Sequence, residues 1–153
     1  MNENKIGIAL SGGGARGIAH IGVIKALEEH NIKPELVAGT SMGAIVGVMY
    51  AAGFSAKKMA KLLKDEKIYK WFKVEWFKPG LLSLTGVKEL LIKHVGHNEF
   101  EKLERPFSVA VSNINSGKGE IINRGGQLMD WVIASAGVPL VFTPMEINGS
   151  TYV

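Results

Sequence analysis

The pentapeptide Gly39–Gly43, which reads Gly-Thr-Ser-Met-Gly, contains the residue best suited to chemistry, Ser41. In a Gly-X-Ser-X-Gly turn between a strand and a helix, the serine hydroxyl is presented as a nucleophile. The outer glycines suit this role because the backbone is strained at the serine and the following helix passes close to the preceding strand. An apolar run before the turn, 35–38, and an apolar helical segment after it, 42–52, provide that setting. Ser41 is therefore the candidate nucleophile, and the alternative is an ordinary serine in a glycine-rich loop.

A second glycine-rich stretch, Ser11–Gly17, follows the short apolar strand predicted at Ile6–Leu10 and precedes a predicted helix. Its order of residues also fits the Gly-X-Gly-X-X-Gly fingerprint of dinucleotide-binding folds. That fingerprint requires an acidic residue after the second strand, where this chain has Ala38–Ser41, so no cofactor is predicted. Backbone amides at the start of a helix can instead hold the negative oxygen of a tetrahedral intermediate. The candidates for such an oxyanion hole are Gly12, Gly13 and Gly14.

The two glycine-rich turns are expected to meet, because loops at the carboxyl ends of neighbouring parallel strands open into one crevice. Two further residues complete the predicted site. Arg16 can add positive charge to the pocket, bind a lipid phosphate, or brace the loop through hydrogen bonds to carbonyl groups. Met42, next to the nucleophile, is assigned to support of the substrate or of the loop.

Length and composition point to a single α/β domain, residues 1–153, with a substantial core. Hydrophobic residues make up 46% of the 153 residues, and a chain of this size buries roughly 70% of its unfolded surface. The absence of cysteine excludes disulfides, a thiolate nucleophile and a cysteine zinc site. The four histidines lack the spacing of metal ligands, so no metal is predicted. His20 is interpreted as a structural histidine bonded to a backbone carbonyl rather than as a catalytic one.

The start of the chain shows neither a signal peptide nor a transit peptide, which favours a cytoplasmic location with peripheral contact to the membrane. The uncharged stretch Leu36–Ala56 has 21 residues, and about 20 apolar residues are enough to span a bilayer. Its glycines and its turn divide it into a strand and a short helix. A transmembrane segment is therefore not predicted.

Residues 56–78 form a basic segment in which lysines are interleaved with aromatic side chains. Eight lysines there face three carboxylates, whereas the whole chain has a net charge of only +4. Such a composition is typical of contact with an anionic membrane surface. The alternatives are a solvated basic helix with its aromatic residues packed on the domain, and single-stranded nucleic acid, which no recognised nucleic-acid module supports. The predicted membrane contacts are Lys67, Lys70, Trp71, Phe72 and Trp76.

Hydrophobic periodicity and turn residues predict the remaining elements. The first helix, Ile18–Glu29, is apolar over more than half its circumference and is expected to pack deeply. The pair Asn148-Gly149 suits a type I′ turn in a hairpin near the last residue. Further predicted elements are helices at 56–64, capped by Ser55, at 86–95, capped by Thr85, and at 127–135, and a strand at 107–111 that begins another hairpin.

Three motifs together resemble those of the patatin-like phospholipase family, and the resemblance extends over nearly the whole chain. They are Gly-Gly-Gly-X-Arg-Gly at Gly12–Gly17, Gly-Thr-Ser-X-Gly at Gly39–Gly43, and Ala134–Pro139 followed by Phe142 and Pro144. The resemblance implies a three-layer α/β/α fold with a central, mostly parallel sheet. It also implies hydrolysis of a phospholipid or another acyl-ester lipid by a Ser-Asp dyad without a catalytic histidine. Ser41 would be the nucleophile of that dyad.

The family's aspartate stands in Asp-Gly-Gly or Asp-Gly-Ala, directly after the hairpin that this chain reaches at Tyr152-Val153. The aspartates within the chain, Asp65 and Asp130, are not in a suitable place, and neither is Glu146. Help from a general base is worth roughly 10² to 10⁴ in rate. We therefore expect the chain to be the amino-terminal part of a lipid acyl hydrolase and to be largely inactive alone.

Two other classes of function are open at this stage. A non-catalytic lipid-binding module would bind membranes independently of Ser41, with Lys67, Lys70 and Trp71 providing the affinity. A nucleotide-binding domain would contact its ligand through Gly12 and Gly14 and leave Ser41 untouched.

Overall fold

The computed structural model describes residues 5–66 and 84–153. The strands are β1 (Gly7–Leu10), β2 (Leu36–Gly39), β3 (Phe107–Asn113), β4 (Lys118–Ile122), β5 (Met145–Ile147) and β6 (Ser150–Tyr152). The α-helices are α1 (Ala19–Glu29), α2 (Met42–Ala51), α3 (Ala56–Asp65), α4 (Thr85–Val95) and α5 (Leu128–Ala136). Short 3-10 turns lie at Gly14–Ile18 and Phe100–Lys102.

The strands form one mixed sheet in the order β1-β2-β3-β6-β5, with β4 also paired to β3. The pairs β1-β2 and β2-β3 are parallel, whereas the hairpin strands join in antiparallel pairs. The parallel strands are short and are reached through helical connections, as parallel pairing requires. The predicted α/β class is confirmed, and the parallel strands β1, β2 and β3 form one side of the mixed sheet.

Helix α2 is the element around which the core is assembled. All of its residues are buried, which is why its sequence is apolar on every side. Gly47 lets it approach the sheet, since a Cβ there would lie 2.9 Å from the Phe107 ring and 3.4 Å from Val37 Cγ1. Helix α5 packs beside α2 and over β3. Because Ser41 immediately precedes α2, this packing fixes the position of the candidate nucleophile.

Helices α2 and α5, which pack directly on the sheet, lie on the same face of it. The other face has small or apolar side chains, and Leu36 and Ile121 there are 42% and 66% exposed. In the described part of the chain no helix covers this second face. Residues 5–66 and 84–153 thus supply one of the two helical layers expected of a three-layer fold.

The expectation that the first helix packs deeply is wrong for the described part of the chain. Only Ile21 and Ile24 of α1 are buried, whereas Gly22 and Val23 are exposed. The reason is that α1 packs on α3 and on the 3-10 turn Gly14–Ile18 rather than on the sheet. Periodicity identified its apolar positions correctly but could not show which of them acquire a neighbour.

Local signals set most of the element boundaries. Ser55 caps α3, because its Oγ accepts the Lys58 N–H at 3.2 Å. Asn148 and Gly149 both have positive φ, 51° and 79°, as a type I′ turn requires. The cap predicted at Thr85 is wrong by one residue, since α4 begins at Thr85 and its N-cap is Leu84.

Two sequence-based expectations concern membranes. No helix in residues 5–66 and 84–153 is long and apolar enough to cross a bilayer. The predicted contacts in the basic aromatic segment, Lys67, Lys70, Trp71, Phe72 and Trp76, lie outside the described residues.

Arg105 secures the carboxyl end of α2. Its Nη1 donates to the carbonyl of Tyr50 at 2.9 Å, its backbone N–H donates to Ala51 O at 3.0 Å, and its guanidinium lies 4.6 Å from the centre of the Tyr50 ring. A cation at this end also complements the helix dipole. Burial raises the pKa of the Tyr50 hydroxyl, and the nearby Arg105 charge partly opposes this rise.

We expect Arg105→Met to lower the free energy of unfolding by about 1–2 kcal/mol, because the Tyr50 carbonyl at the helix end loses a charged donor. The corresponding fall in Tm is about 2–8 °C for a chain of this size, measured by circular dichroism. The control is Arg124→Met at an exposed arginine, for which a change within about 0.5 kcal/mol is expected. Equal Tm values for the two variants would contradict the role of Arg105.

Candidate active site

Ser41 stands on a strained turn between β2 and α2. Its backbone has φ 54° and ψ −127°, a combination that costs roughly 1–3 kcal/mol for a residue other than glycine. The flanking glycines make the turn possible. A Cβ at Gly39 would lie 2.5 Å from the carbonyl oxygen of Gly43, and one at Gly43 would collide with the carbonyl oxygen of Leu10. The geometry is that of a nucleophile elbow, in which the serine is exposed at the end of a strand.

Ser135, on α5, holds this turn in place. Its hydroxyl donates to Ala110 O at 2.6 Å and accepts the backbone N–H of Ser41 at 2.9 Å. Thr40 Oγ1 lies 3.4 Å from the same hydroxyl oxygen. Ser135 belongs to the third motif of the sequence, but a hydrogen bond between residues 94 positions apart leaves no local signal in that motif. It is a site residue that sequence reasoning did not assign.

The glycine loop after β1 lies directly beside Ser41. A Cβ placed on Gly12 would be 3.2 Å from Ser41 Cβ and 3.8 Å from Ser41 Oγ. Gly13 and Gly14 have φ of 154° and 51°, which other residues rarely adopt. Among the described residues none accepts a hydrogen bond from the N–H groups of these three glycines. The structure thus places Gly12 directly beside the candidate nucleophile, and the N–H groups of all three glycines have no partner among the described residues.

The remaining predicted site residues have distinct surroundings. Met42 is fully buried, and a Cβ on Gly17 would lie 2.6 Å from the Cβ and Cγ of Met42. The Met42 side chain therefore packs against the glycine loop from the side of the core. Arg16 is exposed on the loop, and its guanidinium has no hydrogen-bond partner in residues 5–66 and 84–153. This favours a role as free positive charge over bracing of the loop. His20 Nε2 donates to Ser11 O at 2.8 Å, which is the structural bond predicted for this histidine.

Ser41 opens into a cleft of about 660 Å³. Its walls come from β3, β4 and the segment after α5, and they include Ala110, Ile121 and Val138. Val153 also lines the cleft and is held there by two backbone hydrogen bonds to Ser112, of 2.7 and 3.0 Å. A cleft of this volume with mostly apolar walls suits a ligand with a hydrocarbon part.

No carboxylate of the described residues is bonded to Ser41 Oγ. Glu120 lines the same cleft, which the sequence did not reveal, but its carboxylate accepts from Asn113 Nδ2 at 2.9 Å and lies 3.4 Å from the Tyr152 hydroxyl. Asp130, expected to be solvated, is instead half-buried and paired with Lys88 Nζ at 2.5 Å. The other two carboxylates considered, Asp65 and Glu146, are exposed.

No group of three or more histidine, aspartate or glutamate side chains in the described ranges is arranged to hold a metal ion. The groups that the described residues place at the site are a hydroxyl, backbone N–H groups and the positive charge of Arg16. A strained serine beside a glycine-rich loop and an apolar cleft is what a serine hydrolase acting on an acyl group requires.

The chain belongs to the patatin-like phospholipase family, whose family model matches residues 8–153. An uncharacterized NTE family protein of Mycobacterium bovis is 34% identical over 147 residues, which cover 95% of this chain and 41% of that protein. The lysophospholipase nte1 of Emericella nidulans is 34% identical over 151 residues, 95% of this chain and 10% of that protein. The chain thus spans less than half the length of these relatives.

Solved structures show the same fold. VipD from Legionella pneumophila matches with a TM-score of 0.63 at 18% identity, over 98% of this chain and 45% of that one. The type III effector protein ExoU matches with a TM-score of 0.61 at 17% identity, over 88% of this chain and 39% of that one. Membership of a phospholipase family favours the hydrolase class over the nucleotide-binding class that the sequence left open.

Proposed function

We propose that this chain provides the nucleophile and the oxyanion hole of a lipid acyl hydrolase. The observation that carries the proposal is the position of Ser41 on its strained turn beside Gly12, the first residue of a glycine loop, Gly12 to Gly14, whose N–H groups have no partner among the described residues. A nucleophile and oxyanion donors must both lie close to one reacting carbonyl for acyl transfer. Both are supplied here by rigid elements of the same sheet.

In the proposed reaction, Ser41 Oγ attacks the carbonyl carbon of the ester and loses its proton to a general base. The carbonyl oxygen becomes negative and is held by the glycine N–H groups, each worth about 3 kcal/mol in the transition state. The C–O bond to the alcohol then breaks, and the base returns the proton to the departing alcohol. Water hydrolyses the acyl-serine in a second step of the same kind.

The general base of this proposal is an aspartate joined after Val153, as the family resemblance implies. Two facts support it. Val153 lies in the wall of the Ser41 cleft, so the aspartate of this proposal is joined to the chain beside the nucleophile. In addition, none of the carboxylates of the described residues is bonded to Ser41, and Glu120 is occupied by Asn113 and Tyr152.

The proposed substrate is a phospholipid or lysophospholipid. The Emericella nidulans relative is named a lysophospholipase, and the cleft beside Ser41 is lined mostly by apolar side chains such as Ile121 and Val138. An apolar wall binds an acyl chain by removing its surface from water, at about 25 cal/mol per Å². The exposed Arg16 supplies a positive charge for the phosphate of the headgroup.

The test compares the 153-residue chain with a fusion in which Val153 continues into the segment that follows the matched region in the Mycobacterium bovis relative. We expect the fusion to hydrolyse a p-nitrophenyl ester and to react with a fluorophosphonate. The 153-residue chain alone is expected to be slower by roughly 10² to 10⁴, because the base is missing. Circular dichroism establishes that both proteins are folded.

Ser41→Ala in the fusion is the control and is expected to abolish both reactions. A folded fusion that neither hydrolyses the ester nor labels would overturn the proposal. Membrane binding unchanged by Ser41→Ala, together with no hydrolysis, would favour the non-catalytic lipid-binding module. Full activity of the 153-residue chain would instead show that the base lies within it.

A further inference from the structure

A groove of about 1000 Å³ lies between α1 and α3 and shares no lining residue with the Ser41 cleft. Buried apolar side chains, among them Ile21 and Leu63, form its floor. Small exposed residues such as Gly22 and Ala60 leave it open to solvent. The groove is therefore an apolar surface feature large enough for a hydrocarbon chain, at the upper end of the range for ligand sites.

A row of lysines borders this groove. Lys57, Lys61 and Lys64 are exposed on α3, and their spacing of four and three residues places them on one outward face of the helix. Lys57 and Lys64 also line the groove itself. In the part of the chain that the structure describes, none of the three has an ion-pair partner. Their charges are therefore available to an external anion.

The carboxylates at the groove are already engaged. Glu28 Oε1 accepts the N–H of Ala56 at 3.0 Å, and Glu29 is 3.6 Å from Lys25 Nζ. Glu28 thus satisfies the start of α3, where a negative charge is favourable. These two carboxylates are therefore engaged by Lys25 and by the start of α3 rather than by the lysine row.

We propose that the α1–α3 groove and the lysine row form a docking site for the surface of an anionic phospholipid bilayer. The phosphate groups contact Lys57, Lys61 and Lys64, and one acyl chain occupies the groove. Lysine suits this position because its long apolar stem lies against hydrocarbon while the ammonium stays in water. Ile18 ends the turn of the glycine loop and also lines the groove, so the two features are joined through one short segment.

This inference goes beyond the proposed function, because docking requires no hydrolysis. It is tested by co-sedimentation with vesicles of phosphatidylcholine alone and of equal parts phosphatidylcholine and phosphatidylglycerol. We expect binding to the mixed vesicles only, weakened by added salt. Replacing Lys57, Lys61 and Lys64 together by glutamine is expected to weaken it on the order of 100-fold, since each lysine contributes roughly fivefold.

The matched control replaces three exposed lysines elsewhere, Lys33, Lys93 and Lys118, by glutamine, which gives the same net charge. Binding by this control is expected to stay within about threefold of the unmodified chain, because none of its lysines lines the groove or belongs to α3. An equal loss in both triple variants would show that only overall charge matters, and this would overturn the proposed site.

The groove is tested separately by Ala60→Asp, which is expected to weaken binding roughly tenfold because a carboxylate replaces apolar contact with the acyl chain. Ala26→Asp is its control, since Ala26 is also exposed on a helix but does not line the groove. Analytical ultracentrifugation provides a further outcome. A dimer that only Ala60→Asp dissociates would identify the groove as a contact between two copies and overturn membrane docking.

Discussion

In the Gly43→Ala variant, the chain is expected to lose about 3–5 kcal/mol of its free energy of unfolding. The added methyl would collide with the carbonyl oxygen of Leu10 and lie 2.5 Å from that of Ser11. Both atoms are backbone, so they cannot rotate away as a side chain would. Leu10 O also accepts the Thr40 N–H at 3.1 Å, and a shift there would break this bond. Losses of this size come from overpacking in a core that cannot relax.

The measurement is thermal and urea unfolding followed by circular dichroism, and the expected fall in Tm is about 6–20 °C. The control is Gly22→Ala on α1. A Cβ there has no heavy atom within 4 Å, so alanine should raise stability by about 0.5–1 kcal/mol through its helix propensity. Equal Tm values for Gly43→Ala and Gly22→Ala would contradict the prediction that the close approach of α2 to β1 excludes a side chain at position 43.

Ser135→Ala is the second large effect, and it acts on the nucleophile through the backbone. The Ser41 N–H and the Ala110 carbonyl both lose their partner, which costs roughly 1–3 kcal/mol for each group left unsatisfied. Ser41 is then no longer held in its strained conformation. In the fusion used for ester hydrolysis, we expect kcat to fall roughly 10²-fold at unchanged KM, because misplacement by about 1 Å has such an effect.

A purely structural role for Ser135 would lower Tm without a selective effect at Ser41. Amide hydrogen exchange in the 153-residue chain separates the two possibilities and requires no activity. We expect exchange of the Ser41 N–H to accelerate at least tenfold, the equivalent of about 1.4 kcal/mol. Ser108→Ala on β3 is the control. In this variant, both the kcat of the fusion and the exchange rate of the Ser41 N–H should stay within twofold of the values for the unmodified protein. An unchanged Ser41 exchange rate in Ser135→Ala would remove the positioning role.

Features governed by neighbours in sequence could be predicted from the residues alone. Both glycines around Ser41 face backbone, as expected. For Gly39 the constraint is local, since it comes from Gly43 and Ala44, whereas for Gly43 it comes from Leu10 and Ser11 at the end of the neighbouring strand. The same holds for the Ser55 cap and the Asn148-Gly149 turn, where one side chain or one φ value decides the outcome. The meeting of the two glycine-rich turns required one further rule, that of adjacent parallel strands.

Features that depend on distant segments were not predictable. The burial of α1 depends on which elements pack against it, and its apolar face packs on α3 rather than on the sheet. Glu120 enters the Ser41 cleft because β4 folds back along β3, and Asp130 is drawn into an ion pair by Lys88 on another helix. In each case the deciding partner is separated in sequence and has no periodic signal of its own.

The bond between the Ser41 N–H and Ser135 Oγ sets an order of events during synthesis. Ser41 leaves the ribosome 94 residues before Ser135, an interval of roughly 5–20 s at ordinary rates of elongation. During that interval the Ser41 N–H lacks the hydroxyl that accepts its hydrogen bond in the folded chain. The full set of contacts around the candidate nucleophile is therefore completed late, once α5 has been made and has packed onto β3.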